Sequence, residues 1–146
     1  MALFIQSNVL CCCILVILLS FSLSLIAEVL VVTKAKNLPI TLSKNQVRNI
    51  FLGRVTSLPD GGSMTPVDQP ESSPLRNEFY LKVVNMSASQ AKELWAILHF
   101  AGGGVPPREG TDSLDVIRIL NSTHGAIGYI DRDSLDSSLN VIYVAP

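Results

Sequence analysis

Apolar and polar positions along this chain alternate in two rhythms, and each rhythm marks an element. Glu28 to Thr33 (EVLVVT) is a run of β-branched residues too short for a helix, which predicts a buried strand. Ser43 stands three residues before Gln46, the spacing of a capping box, and Val47, Ile50 and Phe51 follow as an apolar stripe closed by Gly53. Leu58 to Ser63 (LPDGGS) predicts a turn, and Met64 to Val67 a short second strand. Pro74 to Val84 then predicts a helix with Leu75, Phe79 and Leu81 or Lys82 at its boundary faces.

Asn85 to Ser87 interrupts that helix, and Ser87 with Gln90 forms another capping box. Ala91, Leu94, Trp95, Leu98 and Phe100 predict an amphipathic helix running until Gly102. Gly102 to Gly110 (GGGVPPREG) predicts irregular chain. Asp112 or Ser113 opens a further helix with Leu114, Ile117 and Leu120 inward, and Ala126 to Ile130 and Val141 to Val144 predict closing strands. Strands alternating with helices around one sheet make an α/β domain.

Ahead of this domain lies a block of different character. Residues 1–27 contain no Asp, Glu, Lys or Arg, and Val9 to Ala27 is almost wholly apolar. The block fits a cleaved export signal or a retained membrane anchor. It lacks a basic n-region, and as a helix its apolar run of about 19 residues would measure roughly 28 Å, close to a bilayer core. Cys11, Cys12 and Cys13 all fall inside it, so residues 28–146 hold no cysteine for a disulfide or a thiolate metal site. The chain totals 146 residues with a net charge of −1. That balance argues against nucleic acid as a partner, since phosphate-backbone binding needs a basic surface.

The candidate chemistry sits in Thr65 to Phe79 (TPVDQPESSPLRNEF). Ser72 and Ser73 offer helix caps, Pro74 occupies a first helical position, and Arg76 follows in the first turn. A helix start exposes N–H groups and carries partial positive charge, so hydroxyls and a guanidinium beside it predict a seat for phosphate or a similar small oxyanion. An ordinary capped helix with a surface arginine explains the same residues. Asp68 and Glu71 are near in sequence, and either carboxylate could occupy the helix start itself.

Other groups read as structural. Gly102-Gly103-Gly104 lacks the Lys-Ser/Thr of a nucleotide loop, though Arg108 beyond it could lean over a cleft. His99 and His124 read as helix-end and turn residues, Asp131-Arg132-Asp133 as a turn or cap, and Trp95 as core. No nucleophile–base pairing or metal-ligand spacing occurs, so the expectation is a protein that is not an enzyme, with no catalytic residue, no metal and no cofactor.

The segments Leu42 to Gly53 (LSKNQVRNIFLG), Pro66 to Phe79 (PVDQPESSPLRNEF), the Trp95 helix and Gly125 to Ile130 (GAIGYI), in this order and spacing, resemble periplasmic phosphate-binding proteins of ABC uptake systems. The resemblance implies one lobe of a type II periplasmic binding protein, a three-layer α/β/α domain with a mixed sheet over residues 28–146. It also implies an exported protein in the periplasm, or one anchored in the inner membrane through residues 1–27. Phosphate or a related oxyanion would be its ligand, with an ABC permease or another envelope protein as partner. Of the helix-start residues Ser72, Ser73 and Arg76, the resemblance itself carries over only Ser73, with Arg76 one position beyond the family's triplet. Family members carry an Arg, a short spacer and Ser-Gly-Thr at this helix start. Here Gln69 stands at the Arg position and Ser73-Pro74-Leu75 at the triplet. The alternative is a periplasmic interaction module that keeps the fold and binds no ligand.

Overall fold

The computed structural model describes residues 28–34, 41–57 and 62–146. The apolar block 1–27 and most of the Leu58–Ser63 turn lie outside the described residues. Among the described residues, no helix is long and apolar enough to cross a membrane.

The first strand, β1 (Val29–Thr33), is buried along its whole length. Its alternation splits the core in two. Val29 and Val31 point into one apolar cluster, with Phe51, Phe79 and Tyr129, and Leu30 and Val32 into another, with Val116, Leu120 and Ile130. A strand covered on both faces has no use for polar positions, which is why EVLVVT reads as a continuous apolar run.

Helix α1 (Lys44–Phe51) carries the expected capping box: the Ser43 hydroxyl accepts from the Gln46 N–H, and the Gln46 side chain accepts from the Ser43 N–H. Strand β2 (Thr65–Asp68) starts one residue later than the apolar pattern predicts. Helix α2 (Pro74–Phe79) passes directly into a π-helical turn at Tyr80–Val84, closed by Asn85 in the left-handed region at φ 59°. Helix α3 (Ala88–Phe100) repeats the capping box with Ser87 and Gln90.

Two residues within GGGVPPREG are regular after all. Arg108–Glu109 form strand β3, parallel to β2, with Asp68 opposite Glu109. Helix α4 (Ser113–Ser122) is capped by Asp112, whose carboxylate accepts from the Asp115 N–H. Strands β4 (Ala126–Asp131) and β5 (Asn140–Val144) finish the chain, joined by a 3₁₀ turn at Arg132–Ser134 that Asp131 caps.

The sheet order is β3-β2-β4-β1-β5. Strands β2 and β3 pair in parallel, β2 and β4 pair in parallel, and β1 runs antiparallel to both β4 and β5. Helices α1 and α2 cover one face and α4 the other, which makes the three-layer mixed α/β domain that the sequence predicts.

Two expected core positions are not core. Phe100 is 90% exposed and Leu114 is 70% exposed. On α3 only Ala91 and Trp95 are buried, because the helix lies at the margin of its cluster and meets it along one narrow line. On α4 the buried stripe is Val116, Ile117, Ile119 and Leu120, which turns Leu114 outward. Trp95 does pack inward, donating from Nε1 to the Phe51 carbonyl at 3.2 Å.

Candidate functional site

Strands β2, β3 and β4 end on the side of the sheet where β1 begins, as their registers require. In open α/β sheets ligands gather outside the carboxyl ends of strands. Asp68 closes β2 at this edge, Glu109 closes β3, and α2 starts just beyond. The residues singled out from sequence are at this place, in an unequal arrangement.

Arg76 is nine-tenths buried. Its Nη1 donates to the Gln69 carbonyl at 3.1 Å and to Glu109 Oε2 at 3.0 Å. Its Nη2 stands 3.3 Å from Asp68 Oδ2. Its Nε is buried with no hydrogen-bond partner among the described residues. The carbon of the guanidinium sits 5.9 Å from the Tyr80 ring centroid. Burial works against the charge of Arg76, yet Asp68, Glu109 and Tyr80 outweigh it and raise its pKa.

Ser72 is exposed and Ser73 half-buried. Ser73 holds the N-cap position of α2, but its hydroxyl makes no capping bond. The donors expected of the helix start are largely spent. The Ser73 N–H goes to the Pro70 carbonyl at 2.9 Å, and the Arg76 N–H to the Ser73 carbonyl at 3.2 Å. Pro74 has no N–H to give. The structure therefore brings Arg76 into a dense polar cluster and leaves the two serines at its rim.

Asp68 is the centre of that cluster. It accepts from the Tyr80 hydroxyl at 2.8 Å, from the Tyr129 hydroxyl in a short contact, and from the Gln69 N–H at 2.9 Å. Burial raises its pKa above the usual carboxylate value, against the pull of those donors and of Arg76. Burial and the facing Asp68 charge likewise push both tyrosine hydroxyls up, so they stay protonated and act as donors. Tyr129 is held by stacking on Phe79 at 3.8 Å between ring centroids. Gln69 is buried as well, donating from Nε2 to the Tyr129 carbonyl at 2.9 Å and accepting from the Ser113 hydroxyl at 3.4 Å.

The two carboxylates expected near the helix start divide. Asp68 does reach Arg76, whereas Glu71 turns to Lys92, whose Nζ donates to the Glu71 carboxylate at 2.6 Å and lowers its pKa. The place expected for Glu71 is taken by Glu109. Its Oε2 meets Arg76 and its Oε1 accepts from the Glu71 N–H at 3.1 Å. Arg108, the residue that could have leaned over a cleft, is exposed. Sequence reading missed Asp68 as a hub, Tyr80 and Tyr129 as donors, and Glu109 altogether. The one legible signal was a lone Asp at the end of an apolar strand beside a buried-type Gln. Among the described residues no group of three His, Cys, Asp or Glu side chains could hold a metal ion.

The mixed five-strand α/β fold is similar to that of one lobe of solved phosphate ABC transporter substrate-binding proteins. A Clostridium perfringens protein described as a phosphate ABC transporter substrate-binding protein, solved with bound phosphate, is similar at a TM-score of 0.63 and 18% identity, covering 80% of this chain and 45% of that one. An ABC-type phosphate transport receptor from Vibrio cholerae gives 0.62 and 18%, covering 80% and 46%. PstS from Borrelia burgdorferi gives 0.58 and 14%, covering 80% and 47%. The chain thus spans about half the length of the proteins it resembles. No protein-family model matches the chain, and no curated sequence matches it significantly.

Proposed function

We propose that this chain is part or all of an exported solute-binding-like protein that receives phosphate or a related small oxyanion at Arg76, with Ser72 and Ser73 at the mouth. It belongs in the periplasm, free or held to the inner membrane through residues 1–27, and works with or derives from an ABC phosphate uptake system. One observation carries the reading: a carboxylate, that of Glu109, is already held at two points by the Arg76 guanidinium and a backbone N–H. Those are the donors an oxyanion needs, at a strand-end position where such ligands collect. The bound phosphate of the similar Clostridium perfringens structure supports the choice of anion.

A half-exposed seat is reached by water, so affinity is modest unless another surface covers it. The test is a melting curve of the full chain in detergent, with and without about 10 mM phosphate at matched ionic strength. A dissociation constant near 1 mM would raise the midpoint by a few degrees. No shift for phosphate, sulfate or molybdate sinks the reading.

A second reading is a ligand-free interaction module. It is favoured by the double acidic engagement of Arg76 and by Ile97, Phe100 and Val105 standing exposed around the end of α3. Under that reading Arg76→Ala leaves capture of an envelope partner unchanged.

A further inference from the structure

We infer that Glu109 is a built-in competitor: its carboxylate occupies the anion seat in the free protein and must leave before an external oxyanion can enter. The inference rests on the oxyanion reading of Arg76 and adds how that site is closed and opened.

Three features of Glu109 point to a removable plug. Its two oxygens are divided between the Glu71 N–H and Arg76 Nη1, which is how one face of a phosphate would be held. Its side chain is 48% exposed, against 3% for the other carboxylate on Arg76, so only Glu109 has water to move into. Its backbone is fixed, because β3 pairs with β2 on one side and the Gly110 N–H binds the Asp68 carbonyl at 2.9 Å. Opening therefore takes a side-chain rotation with no change in the sheet.

Asp68 cannot play this part. It is buried and tied by two tyrosines, a backbone N–H and Arg76, and it remains to balance the guanidinium whichever anion sits opposite. Nearby, Glu71 is already matched by Lys92 and does not compete. The seat thus exchanges one anion for another while Asp68 stays. A tethered competitor reduces apparent affinity by the fraction of time the seat stands open. A half-exposed ion pair with one added hydrogen bond sets that fraction at about one in ten.

The experiment is calorimetric titration of inorganic phosphate into the full chain in detergent, for the native protein and for Glu109→Ala and Glu109→Gln. Melting curves without phosphate establish that each variant is folded, and Glu109→Gln keeps the side-chain volume should Glu109→Ala unfold. The expected result is about tenfold tighter phosphate binding in Glu109→Ala and a gain of the same sign in Glu109→Gln. Equal or weaker binding in the folded variants overturns the competitor role while leaving the oxyanion reading intact. Absence of binding in all three proteins overturns both.

Discussion

At the residue scale the structure turns on a buried cation with two acids on it. Replacing Arg76 by Ala leaves Asp68 ionisable and buried without its counter-charge, and loss of one partner from such a pair costs about 3–5 kcal/mol. Urea denaturation should register that loss, and a change under 1 kcal/mol would show that Arg76 does not hold the cluster together. Asp68 itself sets a pH dependence. Its pKa is raised above the ordinary 3.8, so its contribution to stability is fully present below that value and is lost as pH rises through the raised one. Surface carboxylates Glu71, Asp115 and Asp136 are lowered, and theirs is lost in the opposite direction, as pH falls through their depressed values. The stability of the native protein relative to Asp68→Asn should therefore decline from pH 4 upward. A difference that stays flat between pH 4 and pH 8 contradicts the assignment.

Glu109 shows why this scale was the least legible in the sequence. It stands 33 positions from Arg76, in a Pro-Pro-Arg-Glu-Gly stretch with every mark of a loop. Its meeting with Arg76 depends on a two-residue strand pairing that leaves no hydrophobic period to read. Asp68 was hidden for a related reason, since one Asp after an apolar run looks like the first residue of a turn. Ser73 stands at the helix start that its pattern predicts, but its hydroxyl makes no capping bond to α2.

At the scale of elements, caps and glycines were the dependable signals. Both Ser-x-x-Gln boxes formed, since their partners are local and need no tertiary context. Ser87→Ala should cost about 1 kcal/mol through loss of its cap. Gly53 ends α1 at φ +68°, and a Cβ there would lie 2.5 Å from the Trp95 ring. Gly53→Ala combines backbone strain with overpacking and should destabilise by about 2 kcal/mol in thermal or urea denaturation. A neutral result would mean that Trp95 does not rest on that turn. The burial of α3 was not legible, because an apolar stripe tells which face prefers cover and not how much cover the fold supplies. Phe100, 90% exposed, should accept replacement by Ser within about 0.5 kcal/mol.

For the whole molecule, strand and helix order came through clearly, because continuous apolar runs and capped stripes each admit few alternatives. The five-strand order and the convergence of β2, β3 and β4 on one edge came only with the structure. That edge brings Asp68, Arg76 and Glu109 together, and β1 enters there too, directly after residue 28. The chain spans under half the length of the phosphate-transport proteins it is similar to. The structure of the full chain crystallised from phosphate tests the central claim most directly. The account predicts an anion against Arg76 and the Glu71 N–H, with Asp68 unmoved and the Glu109 side chain turned into solvent. Glu109 still on Arg76, with phosphate elsewhere or absent, contradicts it.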